Sequence, residues 1–355
     1  MMQKSYEHNM IKEILEEPTV LYRTFEKNRK DVERVSNNIL RRFKGTVYLT
    51  GSGTSFHALL SFQYLFFQLS GTYATAIYAS EFPLWVPETS PPSIVLAVSQ
   101  SGESSDILNA VKWADKLKFY KVGITNKIGS QLSLQSDDVL YTYAGEERAL
   151  AATKTYVAQL IVLFSLASNL SHLLGKVQNS QYHRLINDLE NSYSKVKHAI
   201  DKNIDKIENF AKEISYIDRV FVLGTGFLYP SAVEGSLKLK ETCTLPSEGF
   251  ALREFLHGPI QLINEKSLTI ILGHSSIDEK LYSDLINRIK NFGGKILFIN
   301  DDLTEYNVDE QIVVDASYTI SPIAYAPMIQ ILAYYLAIAK GLNPDSPEKL
   351  SKVVK

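Results

Sequence analysis

The sequence predicts an α/β protein made of two copies of one domain, each a parallel sheet covered by helices on both faces. Three observations carry this. Short, near-continuous apolar runs, such as 93–98, alternate with longer stretches of helical periodicity. That is the pattern of strands buried on both sides and joined by crossover helices. The order of elements in the first half recurs in the second: Gly224 stands 173 positions after Gly51, and Gln330 stands 171 after Gln159. A near-constant offset across several elements marks a duplication. Finally, 355 residues at 45% hydrophobic content suffice for two separate cores.

Taken in order, residues 5–45 read as helices rich in Glu, Lys and Arg, with Pro18 placed to start a second helix. A strand at 46–50 runs through Gly51-Ser52-Gly53-Thr54-Ser55 into a helix over 56–69. Strand 73–78 follows, and Ser80-Glu81-Phe82 opens the next segment. Strand 93–98 ends in Ser99-Gln100-Ser101-Gly102-Glu103-Ser104-Ser105 and leads into a helix over 106–117. Strands at 121–125 and 138–143 precede a long apolar helix from about Thr153. A charged helical stretch over about 180–215 joins the halves. The second copy then gives strands at 219–223, 268–272, 295–299 and 311–314, with helices beginning near 231, 278 and 324. The expected division is a helical leader over 1–45, a first domain over 46–185, a linker helix with the second domain over 186–340, and a tail over 341–355.

Composition excludes several function classes. A net charge of -2 without a basic tract gives no electrostatic footprint for nucleic acid. The lone Cys243 can form no intrachain disulfide, which fits a reducing compartment. The N-terminal stretch with Lys4, Glu7, Lys12 and Glu13 lacks the apolar core of a signal peptide. The apolar stretches 156–174 and 323–339 carry polar residues (Gln159, Ser165 and Asn169; Gln330), so buried core or interface helices are expected rather than membrane spans. A soluble, cytoplasmic protein follows. No metal-ligand spacing and no Ser-His-Asp elbow occurs, and no cofactor is expected.

The loop after strand 93–98 has two readings. Main-chain N–H groups, a helix N-terminus, four serine hydroxyls and the Gln100 amide, with no Lys or Arg, would suit a phosphate monoester. Alternatively Ser104 or Ser105 caps the helix and the other serines are solvated. The glycine turns do not decide for a nucleotide. Phe56 and Tyr229 stand where a third glycine of a dinucleotide fingerprint would be, and neither turn has a phosphate-binding lysine. Ligands of open parallel sheets sit at the carboxyl ends of strands, where Thr54, Ser55 and 99–105 all fall, which favours the phosphate. In the second half, Glu234, Lys238 and Glu241 share one helix face at i, i+4 and i+7. They form either an exposed ion-pair stripe or a charged wall of a cleft. His257, before Gly258-Pro259, is either solvated or a proton donor.

Ser99-Gln100-Ser101-Gly102-Glu103-Ser104, Gly53-Thr54-Ser55, Ala151-Ala152-Thr153-Lys154, the run from Glu234 to Glu241 and His257-Gly258-Pro259 resemble motifs of the sugar isomerase (SIS) family. Within it the pattern is similar to the isomerase half of glucosamine-6-phosphate synthase (glutamine–fructose-6-phosphate aminotransferase). The resemblance runs from Met10-Ile11-Lys12-Glu13-Ile14 with Pro18 to the tail. It implies two tandem, doubly wound, flavodoxin-like domains with five-stranded parallel sheets, and a homodimer. It also implies phosphate binding by Ser99, Gln100, Ser101 and Ser104. Gly53, Thr54, Ser55, Leu150 and Ser351 would lie near the sugar, with the tail over the site. Glu241 would be the base moving a proton between C1 and C2, with Lys238 beside it. His257, crossing from the partner subunit, would assist ring opening, and Lys352 could form a Schiff base with the carbonyl. Ala152 and Ser104 stand where the synthase motifs carry Ser and Thr, which bears on sugar preference. The helical leader begins almost at once and Cys243 is mid-chain, so glutaminase activity is not expected. The readings that stay open are an amino-sugar-phosphate isomerase/deaminase, a fructosamine-6-phosphate deglycase and a non-catalytic sugar-phosphate-binding regulator.

Overall fold

The computed structural model describes residues 6–352; residues 1–5 and 353–355, the ends of the expected leader and tail, lie outside the described residues. The elements follow in the order α1 (Asn9–Leu15), α2 (Glu17–Arg42), β1 (Val47–Gly51), α3 (Thr54–Ser70), β2 (Ala74–Tyr78), α4 (Phe82–Trp85), β3 (Ile94–Ser99), α5 (Ser105–Lys116), β4 (Tyr120–Thr125), α6 (Gln131–Gln135), β5 (Asp138–Tyr141) and α7 (Lys154–Leu173). The second half continues with α8 (Asn179–Glu213), β6 (Arg219–Gly224), α9 (Leu228–Cys243), β7 (Ser247–Ala251), two 3-10 turns (Glu254–His257 and Pro259–Leu262), β8 (Ser267–Leu272), α10 (Glu279–Asn291), β9 (Lys295–Asn300), β10 (Glu310–Val313) and α11 (Ser321–Ala339).

The described residues form two five-stranded sheets, ordered β2-β1-β3-β4-β5 and β10-β9-β8-β6-β7, with every pairing among them parallel. Counted within each half, both orders are 2-1-3-4-5, the doubly wound arrangement of a duplicated domain. The chain groups into two compact units. One gathers Thr19–Glu146, Lys154–Asn191 and the chain from Ser351. The other gathers the chain up to Pro18, Glu147–Thr153 and Ser192–Leu350.

In the first-sheet unit, β3 is buried along its whole length, as a central strand covered on both faces must be. Phe82, Val95, Ile107, Val111, Phe119 and Leu132 form the core on one face. On the other, α3 packs along α7, whose apolar sequence is 83% buried over its most hydrophobic window. Helix α2 binds the open edge at β5: Arg34 pairs with Asp138, Asn38 Nδ2 donates to the same carboxylate at 2.9 Å, and Asn28 Nδ2 donates to the Tyr141 carbonyl at 2.8 Å.

The second-sheet unit repeats the plan. Helices α9 and α11 pack together, with the apolar window of α11 89% buried. On the opposite face Phe221, Leu223, Ile271, Leu285, Ile289 and Phe298 form the other core. The two stretches that pass for membrane spans by length and composition are thus core helices of their units. Strand β7 has no counterpart among the expected strands. It is a short edge strand of sequence SEGFA, with too little apolar character to register as one.

Candidate active site

In the first-sheet unit, β1 and β3 are neighbours whose connections leave in opposite directions, so their carboxyl ends flank the crevice where ligands of such sheets bind. The β3 loop is shaped by Gly102. Its φ of +64° lies in the left-handed region, and a Cβ there would stand 2.3 Å from Ser130 Oγ. Only glycine closes this turn without displacing the 130–136 segment. Main-chain N–H groups bond inward to the hydroxyls: Gly102 N donates to Ser99 Oγ at 3.1 Å and Glu103 N donates to Ser101 Oγ at 3.2 Å. Each hydroxyl, accepting in this way, keeps its own proton to donate. Ser104 is the N-cap of α5, with extended backbone, yet its side chain makes no capping bond. The capping reading of this loop is therefore not what Ser104 does, and its hydroxyl stands at an uncapped helix start. Lys127 is engaged by Glu103 at 3.0 Å, and the loop 99–105 itself offers only neutral donors. Gln100 is half-buried, and its carbonyl accepts from Asn126 N at 3.1 Å.

The β1 loop turns through Gly53, at φ +51°, into α3 at Thr54. Ser55 is buried, and its Oγ accepts from Gln159 Nε2 at 3.0 Å, tying the loop to α7. Seven of the expected site residues, Gly53, Thr54, Ser55, Ser99, Gln100, Ser101 and Ser104, thus gather on two adjacent loops of one crevice.

In the second-sheet unit the exposed-stripe reading of α9 fails. Lys238 is only 1% exposed, and its Nζ stands 2.5 Å from Glu241 Oε2 and 3.3 Å from Glu234 Oε1. Burial works against the ammonium charge, but the Glu234 and Glu241 carboxylates more than offset it. They hold Lys238 above its ordinary value. Glu241, with a fifth of its side chain accessible, is the one member of the triad that reaches outward. His257 closes the first 3-10 turn after β7 and is exposed; the φ of +144° at Gly258 is what turns the chain there.

Two further segments, 147–153 and the chain around Asp345, meet in the same unit. The half-buried Leu150 donates its N–H to the Asp345 carbonyl at 3.1 Å. Glu147 accepts from Thr153 N at 2.9 Å, and its carboxylate contributes to holding Lys238 charged. Ser351 and Lys352, exposed on the tail that follows, group with the first-sheet unit instead.

The sequence matches the SIS domain twice, over residues 39–168 and 213–339. The chain belongs to the SIS-domain family. The glutamine–fructose-6-phosphate aminotransferase [isomerizing] of Pyrococcus horikoshii is 34% identical over 356 residues, aligned with 98% of this chain and 58% of that protein. That of Caldanaerobacter subterraneus subsp. tengcongensis is 33% identical over 361 residues, aligned with 98% of this chain and 59% of that protein. The chain thus spans under two thirds of the length of these relatives, and the homology is to their SIS part. Among solved structures, the C-terminal domain of glucosamine-fructose-6-phosphate aminotransferase from Francisella tularensis has a TM-score of 0.89 at 25% identity, covering 96% of this chain and 99% of that one. Glucosamine-6-phosphate deaminase from Thermotoga maritima shares the fold, with a TM-score of 0.76 at 23% identity, covering 98% and 99%.

Between the two SIS domains the loop chemistry differs. In the second, Ser275 N and Ser275 Oγ both donate to Asp301, at 2.6 and 2.5 Å. Tyr318 lies over Gly226, where a Cβ would fall 2.2 Å from its hydroxyl. Sequence reasoning missed Glu147, Glu13 and Asp345. The partners of Glu13 and Asp345, and the influence of Glu147 on Lys238, lie remote in the chain, and only the acidic character of the residues themselves was visible.

Proposed function

We propose that this chain is a phosphosugar isomerase/deaminase, acting on glucosamine 6-phosphate or on fructose 6-phosphate plus ammonia. The single observation that carries it is the buried Glu234–Lys238–Glu241 constellation, with Glu241 partly accessible. A module that only holds a sugar phosphate needs no carboxylate braced against a buried ammonium. A proton-transfer enzyme does, because a base must be fixed within reach of the carbon it deprotonates.

In this reading Ser99, Gln100, Ser101 and Ser104, with the N-terminus of α5, take the phosphate through neutral donors. Gly53 and Thr54 lie beside the sugar, and Ser55 keeps their loop in place. His257, whose exposure suits a group offered to a second subunit, protonates the ring oxygen as the pyranose opens. Glu241 removes the C2 proton of the open-chain amino sugar and returns it to C1, and Lys238 orients it. The resulting C2 imine takes up water and releases ammonia, leaving the ketose phosphate. In the direction from fructose 6-phosphate and ammonia, Lys352 would hold the C2 carbonyl as a Schiff base, water leaving as it forms and the lysine amine leaving as ammonia replaces it at C2; Ser351 and Leu150 line the sugar. A cytoplasmic homodimer without cofactor, metal, nucleic acid or membrane completes the reading.

The test is incubation of purified protein with glucosamine 6-phosphate, assaying ammonia and fructose 6-phosphate. Glu241→Gln is expected to lower turnover at least a thousandfold while leaving phosphosugar affinity within about threefold. Release of an amino acid from a 6-phosphofructosamine, with no ammonia from the amino sugar, would identify a deglycase instead. Unchanged behaviour of the variant in the absence of any turnover would identify a regulator.

A further inference from the structure

Helix α1 starts without a cap of its own. His8 stands at the N-cap and makes no side-chain capping bond. Two N–H groups of the first turn are satisfied from near the other end of the chain. Asn9 N donates to Asp345 Oδ2 at 2.7 Å, Met10 N donates to Asp345 Oδ1 at 2.8 Å, and Asn9 Nδ2 donates to Oδ2 at 3.1 Å. A carboxylate bound by two main-chain donors at a helix start is among the stronger neutral-partner arrangements available. The main chain of the same Asp345 accepts from Leu150 N at 3.1 Å.

The stretch 147–150 is gripped a second time from α1. Glu13, only 4% exposed, accepts from Arg148 N at 2.5 Å and from Ala149 N at 3.3 Å. Glu147, at the head of this stretch, accepts from Thr153 N and contributes to the field on Lys238. Three segments that are remote in sequence are thereby joined through two carboxylates and one carbonyl, and all of them belong to the second-sheet unit.

We infer that Asp345 and Glu13 are positioning residues. They lock α1, the 147–150 strap and the start of the tail into one latch, which registers the strap on the Glu147 side of Lys238 and sets where the tail begins its run to Ser351 and Lys352. The latch stands on its hydrogen bonds; its consequence for turnover rests on the isomerase reading. Neither carboxylate touches the reacting atoms. Their neutral isosteres keep the shape and weaken or misplace the acceptors, because an amide nitrogen would face a main-chain N–H.

The experiment compares wild type, Asp345→Asn, Glu13→Gln and the double variant. Amide hydrogen exchange is followed with and without glucitol 6-phosphate, an open-chain analogue that cannot isomerise. In the unliganded protein the amides of residues 9, 10 and 148–150 should exchange as one group. Either single variant should speed the whole group at least tenfold, and the double variant should be little worse than either single. If Asp345→Asn frees only residues 9 and 10 and Glu13→Gln frees only 148 and 149, the latch is refuted. On substrate, each single variant should lower kcat about tenfold with KM within twofold, since phosphate binding lies elsewhere. Full kcat in a variant whose strap exchanges freely would refute the positioning role. Should the analogue fail to slow exchange at 99–105 in wild type, the phosphosugar reading falls, and the exchange pattern of the unliganded variants still decides the latch.

Discussion

Glu17 begins α2, is completely buried, and faces Gln330 and Glu147. Desolvation pushes its carboxyl well above the usual carboxylate range. The Gln330 amide opposes this and the Glu147 charge adds to it. A group raised in this way contributes stability that is complete below the unfolded value of about 4.3 and is lost as the pH rises toward its folded value. Glu17→Gln removes the titration and keeps the shape. Its gain in unfolding free energy should be near zero at pH 4 and grow by roughly 1.4 kcal/mol per pH unit above the unfolded value, up to the folded one. Urea denaturation at pH 4.5 and pH 7.5 measures this; a gain that is equal at both would contradict a neutral Glu17. Lys238 meets the same burial in the opposite way, remaining charged because two carboxylates contact it.

At the level of elements, the β3–α5 turn is the part most sensitive to a single added carbon. At Gly102 a Cβ would stand 2.3 Å from Ser130 Oγ, 2.7 Å from Ser130 Cβ and 2.9 Å from Thr125 Oγ1, on a backbone at φ +64°. Gly102→Ala should therefore lower stability by about 1–3 kcal/mol and weaken glucitol 6-phosphate binding at least tenfold. Adding Ser130→Gly removes the two shortest contacts but leaves the one to Thr125 Oγ1 and the backbone strain, and it takes the cap from α6, so the double variant should recover only part of the loss. Calorimetric titration of both against wild type measures it, and wild-type affinity in Gly102→Ala would show that this turn does not hold the ligand. The strands around this turn were readable from sequence because burial on both faces leaves a run such as Ile94-Val95-Leu96-Ala97-Val98 almost without polar residues. Helices α5 and α9 were readable from their periodicity and starts. Strand β7 and the short helices α4 and α6 were not, since an edge strand reading SEGFA and helices of four and five residues carry too little pattern. The pairing of Lys238 with Glu241 followed from helical spacing, but its burial did not, because that depends on what the rest of the unit packs over α9. The bonds from Asp345 to α1 span 335 and 336 positions, beyond any local signal.

Across the whole molecule, duplication gives two crevices of the same topology that have diverged in what fills them. In the first, hydroxyls are oriented by main-chain N–H groups, and Ser104 leaves the helix start uncapped. In the second, a carboxylate of the chain already takes the donors: Asp301 receives both the N–H and the hydroxyl of Ser275. The next helix also opens with Asp278 and Glu279, Asp278 capping it, which sets negative charge where an anion would have to approach. His274 is spent on the Ala316 carbonyl, at 3.1 Å, and on Ser276. In the proposed reading these charges favour the first half of the duplicated chain for the phosphate, while the second half carries the ionisable residues of α9. Ser101→Ala should weaken glucitol 6-phosphate binding at least tenfold, while Ser275→Ala should leave it within twofold and lower only thermal stability. Equal losses of affinity in the two variants, measured by calorimetric titration, would mean that the second crevice also binds the ligand, and that its carboxylate yields to an incoming phosphate.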